Sequence, residues 1–297
     1  FPLSGISNSE TIYCNENGYY SIYQSDKYGL NNPDYEWSEK EIEYVLVGDS
    51  FTHGACVNRP NDIASVLRNL SNKSVLNFGY AGNGPLIEYA TLREYLGKNV
   101  KKVIWIYYET NDFRDLYNEI GEKILINYLD DLTFTQNLKY RQHEINDLAL
   151  KAIKKKESEK KNKNEVKSQT ENFKFKFIKF IKIFRTRILI FPPPVPTLEF
   201  KKILQLTKDL TIKNNSKLYF VYLPSIWRYK IKKNPNDTFS LVKKIINEMG
   251  IPFIDIDKEV FQKEDNPLRF FPSENYVHYN VESYKKVGET IYRFSKD

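Results

Sequence analysis

Short β-branched apolar runs recur along this chain, at 43–48, 74–78, 102–108, 217–223 and 252–256. Between them, apolar residues fall at intervals of three and four, which predicts helices near 60–70, 85–97, 197–214 and 238–249, and a last one over 281–295. Runs that are apolar on both faces, joined by amphipathic helices, are the pattern of a parallel sheet covered on both sides. The expected fold is therefore α/β: a three-layer α/β/α sandwich around a parallel, flavodoxin-like sheet of about five strands. Before the first run, residues 1–40 form a tyrosine-rich N-terminal extension, in which Asn15-Glu16-Asn17-Gly18 lies between Thr11–Cys14 and Tyr19–Tyr23. An Asn-Gly pair between two extended runs predicts a hairpin.

The alternation is interrupted by a lysine-rich insertion at 113–196 within a main domain of 41–297. Its middle, Lys151 to Glu171, has almost no apolar residues and reads as a solvated helix or a mobile loop. Beyond it, Phe173, Phe177, Phe180, Ile181 and Phe184 follow helical spacing with lysines between them, and Pro192-Pro193-Pro194 stops the element. Such a helix either packs on the domain or lids the site, or rests at 173–191 on an anionic membrane surface.

Charge changes the picture little. Of the net +7, the segment Lys151–Arg187 alone supplies fourteen basic residues against four glutamates, and the rest of the chain is slightly acidic. A basic footprint confined to one segment, away from any recognition element, argues against a nucleic-acid partner. With 297 residues and 41% hydrophobic content the chain can bury a large core. No uninterrupted apolar run approaches the roughly 18 residues of a spanning helix. The sequence starts at Phe1, so it says nothing of a leader or anchor. Cys14 and Cys56 can pair or stay free, and no Cys/His group shows metal-ligand spacing.

Chemistry enters where the first strand ends, at Gly48-Asp49-Ser50. A tight turn there lifts the Ser50 hydroxyl out of the carboxyl edge of the sheet, where open α/β sheets place their ligands. A serine needs a base to become a nucleophile, and the chain has three histidines. His53 lies on the same turn as Ser50 and reads as structural; His143 falls in the polar helical region; His278 precedes the last helix, with Asn280 as its N-cap.

Three further blocks follow Gly48-Asp49-Ser50 in order: Asn77–Gly84, Glu109-Thr110-Asn111-Asp112 and Val277-His278-Tyr279-Asn280. Together the four resemble the SGNH (GDSL-type) hydrolase family over nearly the whole stretch from Tyr44 to Phe294. The resemblance implies a serine-dependent ester hydrolase or acyl transferase that needs no cofactor or metal, with Ser50 as nucleophile and His278 as base. It implies an oxyanion hole made of the Ser50 and Gly82 backbone N–H groups and the Asn111 amide, with Gly79 or Gly84 as alternatives to Gly82. The family's acid, three residues before the histidine, is here Asn275. Either Glu274 or another carboxylate replaces it, or Ser50 and His278 work as a dyad.

Tyr108-Glu109-Thr110-Asn111-Asp112 resembles the bacterial envelope members linked to polysaccharide O-acetylation. This implies an O-acylated glycan or small-molecule ester as substrate, with water or a sugar hydroxyl as acceptor, and a periplasmic or membrane-associated location. A carbohydrate-binding protein that has lost catalysis with the acid at 275 is the alternative. A nicotinamide or flavin site finds no support, because Gly79–Gly84 is spaced GxxGxG and not GxGxxG.

Overall fold

The computed structural model describes residues 1–166, 195–231 and 238–296. The candidate interfacial helix at 173–191 lies outside them. An N-terminal hairpin pairs β1 (Glu10–Ile12) with β2 (Ile22–Gln24), antiparallel, with Thr11 opposite Tyr23. Its tip is wider than a two-residue turn: Asn15 to Gly18 closes through Gly18 N–H to the Asn15 carbonyl at 3.2 Å, with Gly18 at φ +82°.

The central sheet comprises β3 (Ile42–Gly48), β4 (Val75–Asn77), β5 (Val100–Tyr108), β6 (Lys217–Leu223) and β7 (Phe253–Asp255). All neighbours are parallel, in the spatial order β4-β3-β5-β6-β7. This is the flavodoxin-like order that the sequence predicts. The strand order reverses between β3 and β5, where Gly48 stands opposite Ile106.

Among the described residues, the helices of eight residues or more are α1 (Ile63–Ser71), α2 (Pro85–Tyr95), α3 (Asp112–Glu119), α4 (Lys123–Asp130), α5 (Gln142–Val166), α6 (Thr197–Lys213), α7 (Phe239–Glu248) and α8 (Val281–Ser295). Successive strand side chains point to opposite faces, and the core divides accordingly. Val45, Val47, Trp105, Tyr107, Phe220 and Tyr222 meet α2, α6 and α7 on one face. Tyr44, Leu46, Ile104, Ile106, Val221 and Leu223 meet α1 and α8 on the other. Each such side chain, fully buried, contributes about 1.5–3 kcal/mol, so the register of β3 and β5 is strongly held. A slip by one residue would exchange the two sets of contacts.

Much of the region expected as an insertion belongs to this core. Phe113, Leu116, Leu125, Tyr128, Leu129, Leu138 and Ile145 are all buried on the first face. Of the two readings for the lysine-rich middle, helix is the one observed as far as Val166, with exposed side chains from Leu150 to Glu159. The N-terminal extension also packs down: Leu3 and Leu30 join the core, and Glu36 pairs with Arg68 at 2.9 Å. Among the described residues, no helix is long and apolar enough to cross a membrane.

Candidate active site

The chain leaves β3 through Gly48, where a Cβ would collide with Thr52 Oγ1 and the Ile106 carbonyl oxygen. Only glycine lets the strand end so close to its neighbour. A helical turn follows at Ser50–His53, capped by Asp49, whose Oδ1 accepts from the Phe51 N–H at 2.9 Å; Gly54 at φ +89° ends it. Ser50 therefore stands at the carboxyl edge of the sheet. Asn111, just after β5, stands across the point where the strand order reverses, which is where such sheets form a crevice. The cleft there has a volume of about 550 Å³, and Ser50, Thr110, Asn111, Arg114, Trp227 and His278 are among its walls.

His278 Nε2 lies 3.0 Å from Ser50 Oγ. The ring packs against Phe51, centroid to centroid 5.0 Å, and Phe51 stacks in turn on Tyr108 at 4.0 Å. Asn280 caps α8 by accepting from the Ser283 N–H at 3.0 Å, and Tyr279 is buried with its hydroxyl on the Pro224 carbonyl. These contacts fix the segment that carries the histidine. Of the other two histidines, His53 is buried with Nδ1 3.2 Å from the Gly79 carbonyl oxygen, and burial lowers its pKa to about 4. His143 is exposed on α5.

The acid does not come from the expected positions. Asn275 is exposed, donating to the Ser273 carbonyl at 3.0 Å and accepting from Lys230 Nζ at 2.7 Å, while Glu274 accepts from Asn266 Nδ2 at 2.9 Å. Ser273 and Glu274 take left-handed backbone, φ +50° and +54°. That bend turns both side chains away from the imidazole, so neither position supplies the acid.

Glu16, at the tip of the N-terminal hairpin, occupies that place. Its Oε1 lies 2.9 Å from His278 Nδ1, and its Oε2 accepts the His278 backbone N–H at 3.0 Å. Burial works to raise the Glu16 pKa, but the hydrogen bonds and charge of His278 outweigh it and hold the carboxyl below its ordinary value. Glu16 and His278 are 262 residues apart, and neither spacing nor periodicity links them. The cysteines were the available signal. Cys14 and Cys56 form a disulfide with their α-carbons 4.8 Å apart, which brings a residue two positions before Glu16 against one six positions after Ser50.

Among the proposed oxyanion donors, Gly79 N–H is committed to Asn77 Oδ1 at 2.8 Å and Gly84 N–H to Glu119 Oε1 at 2.6 Å. Glu119 caps α2 from a distance, also accepting from Leu86 N–H at 2.9 Å, and burial pushes its pKa up to about 7. Gly82 is the loop glycine those bonds do not use; it is exposed, at φ +83°, in the turn that Asn83 N–H closes on the Tyr80 carbonyl. It is not among the residues that line the cleft.

Asn111 lines the cleft, but its Nδ2 donates to Asp49 Oδ2 at 3.0 Å and to Asp115 Oδ2 at 3.1 Å. To serve an oxyanion it must exchange one carboxylate for the substrate. Asp49 is the buried anchor of the two, its pKa pushed up to about 6 by burial. Replacing Asn111 with alanine is expected to lower kcat by a factor on the order of 10²–10³ with KM little changed, as for other side-chain oxyanion donors. Steady-state kinetics on an aryl acetate would check it; a change in KM alone would make Asn111 a ground-state contact.

The rest of the Glu109–Asp112 block has structural duties. Glu109 is buried and binds the Arg228 guanidinium through both oxygens, with the Ser225 N–H on Oε2 at 2.9 Å. This pair holds the helical turn Trp227–Lys230 that forms one cleft wall. Asp112 is buried and accepts the Tyr108 N–H at 3.0 Å, bracing the loop.

No protein-family model and no curated protein matches the chain. Solved structures similar to it include a protein assigned to the lipolytic G-D-S-L family from Desulfitobacterium hafniense, 16% identical over 86% of this chain and 99% of that one, TM-score 0.46. Another member of that lipolytic family, from Veillonella parvula, is 11% identical over 85% of this chain and 97% of its own, TM-score 0.45. An acetylxylan esterase from Geobacillus stearothermophilus is 13% identical over 86% and 94%, TM-score 0.47. At these values the likeness carries no argument about chemistry, which must come from the residues of this chain.

Proposed function

We propose that the protein is a serine-dependent ester hydrolase of the SGNH type acting through a Ser50 acyl-enzyme. One observation carries the reading: Ser50, His278 and Glu16 form a continuous relay with steps of 3.0 and 2.9 Å, open to a cleft. His278 Nε2 takes the Ser50 proton as Oγ attacks the acyl carbon, and then returns that proton to the departing alkoxide. Water, deprotonated by the same nitrogen, cleaves the acyl-enzyme and releases the carboxylic acid. Glu16 holds the ring with Nδ1 protonated and offsets the charge it acquires.

Asn275 was the reason to consider a protein that binds without catalysis; the Glu16 carboxylate 2.9 Å from His278 Nδ1 supports the catalytic reading instead. O-acylated carbohydrate is the substrate class we favour. Trp227, 45% exposed, presents an indole in the wall of the cleft that Ser50 also lines, and the polarised C–H face of a sugar ring suits a negative π face. A sugar hydroxyl in place of water would make the same site an acyltransferase. The Cys14–Cys56 disulfide favours an oxidising compartment such as the bacterial envelope.

The test is to expose the protein to a fluorophosphonate probe and to a short-chain aryl acetate. Covalent labelling at Ser50 with turnover is expected; an unlabelled, inert protein would overturn the reading.

A further inference from the structure

Cys14, Glu16, Cys56 and His278 each place a donor atom within 4.8 Å of the others. Cys56 Sγ is 3.5 Å from His278 Nδ1, and Glu16 Oε1 is 2.9 Å from that same nitrogen. Zinc bonds of about 2.0–2.3 Å in a tetrahedron put neighbouring donors roughly 3.3–3.8 Å apart. Small side-chain movements reach that spacing once the two sulfurs separate. The sequence hides this group, because its members come from a hairpin tip, the loop after the Ser50 turn and the segment before α8.

Hydrogen bonds that do not depend on the disulfide hold these three segments together. Asn17 Nδ2 donates to the Cys56 carbonyl at 3.0 Å and to the Tyr279 carbonyl at 3.4 Å, and Ile22 N–H donates to Asn58 Oδ1 at 2.8 Å. Reduction therefore leaves the donors gathered. We propose that, when its Cys14–Cys56 disulfide is reduced, the protein binds a zinc-like divalent ion through two thiolates, His278 Nδ1 and a Glu16 oxygen, and that the bound metal silences Ser50.

The chemistry balances. A dithiol supplies two electrons and two protons, the S–S bond breaks to two thiols, and the dithiol leaves as its own disulfide. Metal binding then displaces the two thiol protons, since thiolate is the ligand. With the metal on Nδ1, the neutral ring keeps its one proton on Nε2, which then donates to Ser50 Oγ and can no longer accept from it. Glu16 is withdrawn at the same time. Reoxidation by a disulfide consumes the thiolates, expels the ion and restores the relay. Metal binding needs no catalytic role for these residues; only the silencing rests on the ester-hydrolase reading.

The experiment reduces the whole protein with a phosphine without oxygen, counts two thiols, removes the reductant and adds Co²⁺. One ion per chain is expected, with near-ultraviolet thiolate-to-cobalt absorption and the visible bands of tetrahedral cobalt. The oxidised protein should show neither, and His278→Ala should weaken binding roughly tenfold or more. Aryl acetate turnover by the reduced form should fall in proportion to Zn²⁺ bound and return on chelation, with the oxidised form unaffected. A reduced protein with both thiols titratable but no thiolate–cobalt band overturns the site, as does cobalt binding indifferent to His278→Ala. Cobalt bound as expected with turnover undiminished by zinc overturns the silencing. Cobalt bound as expected, with ester hydrolysis in neither redox form, leaves the site standing and removes the hydrolase reading instead.

Discussion

Replacing Ser50 with alanine is expected to lower kcat by a factor on the order of 10⁵–10⁶ and to abolish fluorophosphonate labelling. The relay ends in a single hydroxyl, 3.0 Å from His278 Nε2, and no other described serine or threonine occupies the cleft between Asn111 and His278 except Thr110 on its wall. His278→Ala should cost about as much, because an unactivated hydroxyl at neutral pH hardly attacks an ester. The double variant should be no worse than either single one, since the two groups act as one unit. Rates for the three variants on one aryl acetate give the answer. Additive losses would mean that Ser50 and His278 serve separate steps, and the acyl-enzyme mechanism would have to be abandoned.

Glu16→Gln should reduce kcat by a factor on the order of 10³–10⁴, about 4 to 5 kcal/mol of transition-state stabilisation. An amide in that place can keep the contact with His278 yet cannot offset the charge on the ring, and it can stabilise the wrong tautomer. Asn275→Ala, by contrast, should leave the rate within a few fold, because that side chain faces Lys230 and the Ser273 carbonyl. Equal effects at the two positions would refute the assignment of the acid.

The same pair has a stability signature. Because the Glu16 carboxyl is held below its ordinary pKa, chiefly by His278 against the opposing effect of burial, its pairing contributes stability above the ordinary carboxylate range. That contribution is lost as pH falls through the depressed folded-state value. The Tm deficit of Glu16→Gln should therefore be largest near neutral pH and shrink towards strong acid, as thermal denaturation across that range would show.

The periodic runs at 43–48 and 102–108 made the sheet legible because burial on both faces demands continuous apolar sequence, and β3 and β5 lie within a residue or two of those bounds. Gly48-Asp49-Ser50 was legible as a glycine at a strand end, whereas His278 stood out among three histidines chiefly through the resemblance of its block to the SGNH family. The extent of the insertion was less so. Apolar side chains spread from Phe113 to Ile145 pack into the core, yet their pattern, broken into short helices, does not advertise which face they cover.

By itself, then, the sequence determined the strands, their parallel covering by helices and the serine turn at the end of the first strand, which follow from local periodicity and turn chemistry, while the resemblance of four ordered blocks to the SGNH family pointed to His278. Only the tertiary structure decided the third member of the relay. Left-handed backbone at Ser273 and Glu274 turns position 275 outward, while the disulfide and the Asn17 hydrogen bonds bring Glu16 in from the hairpin. A carboxylate's partner is set by where long-range contacts place it, and no local pattern records that.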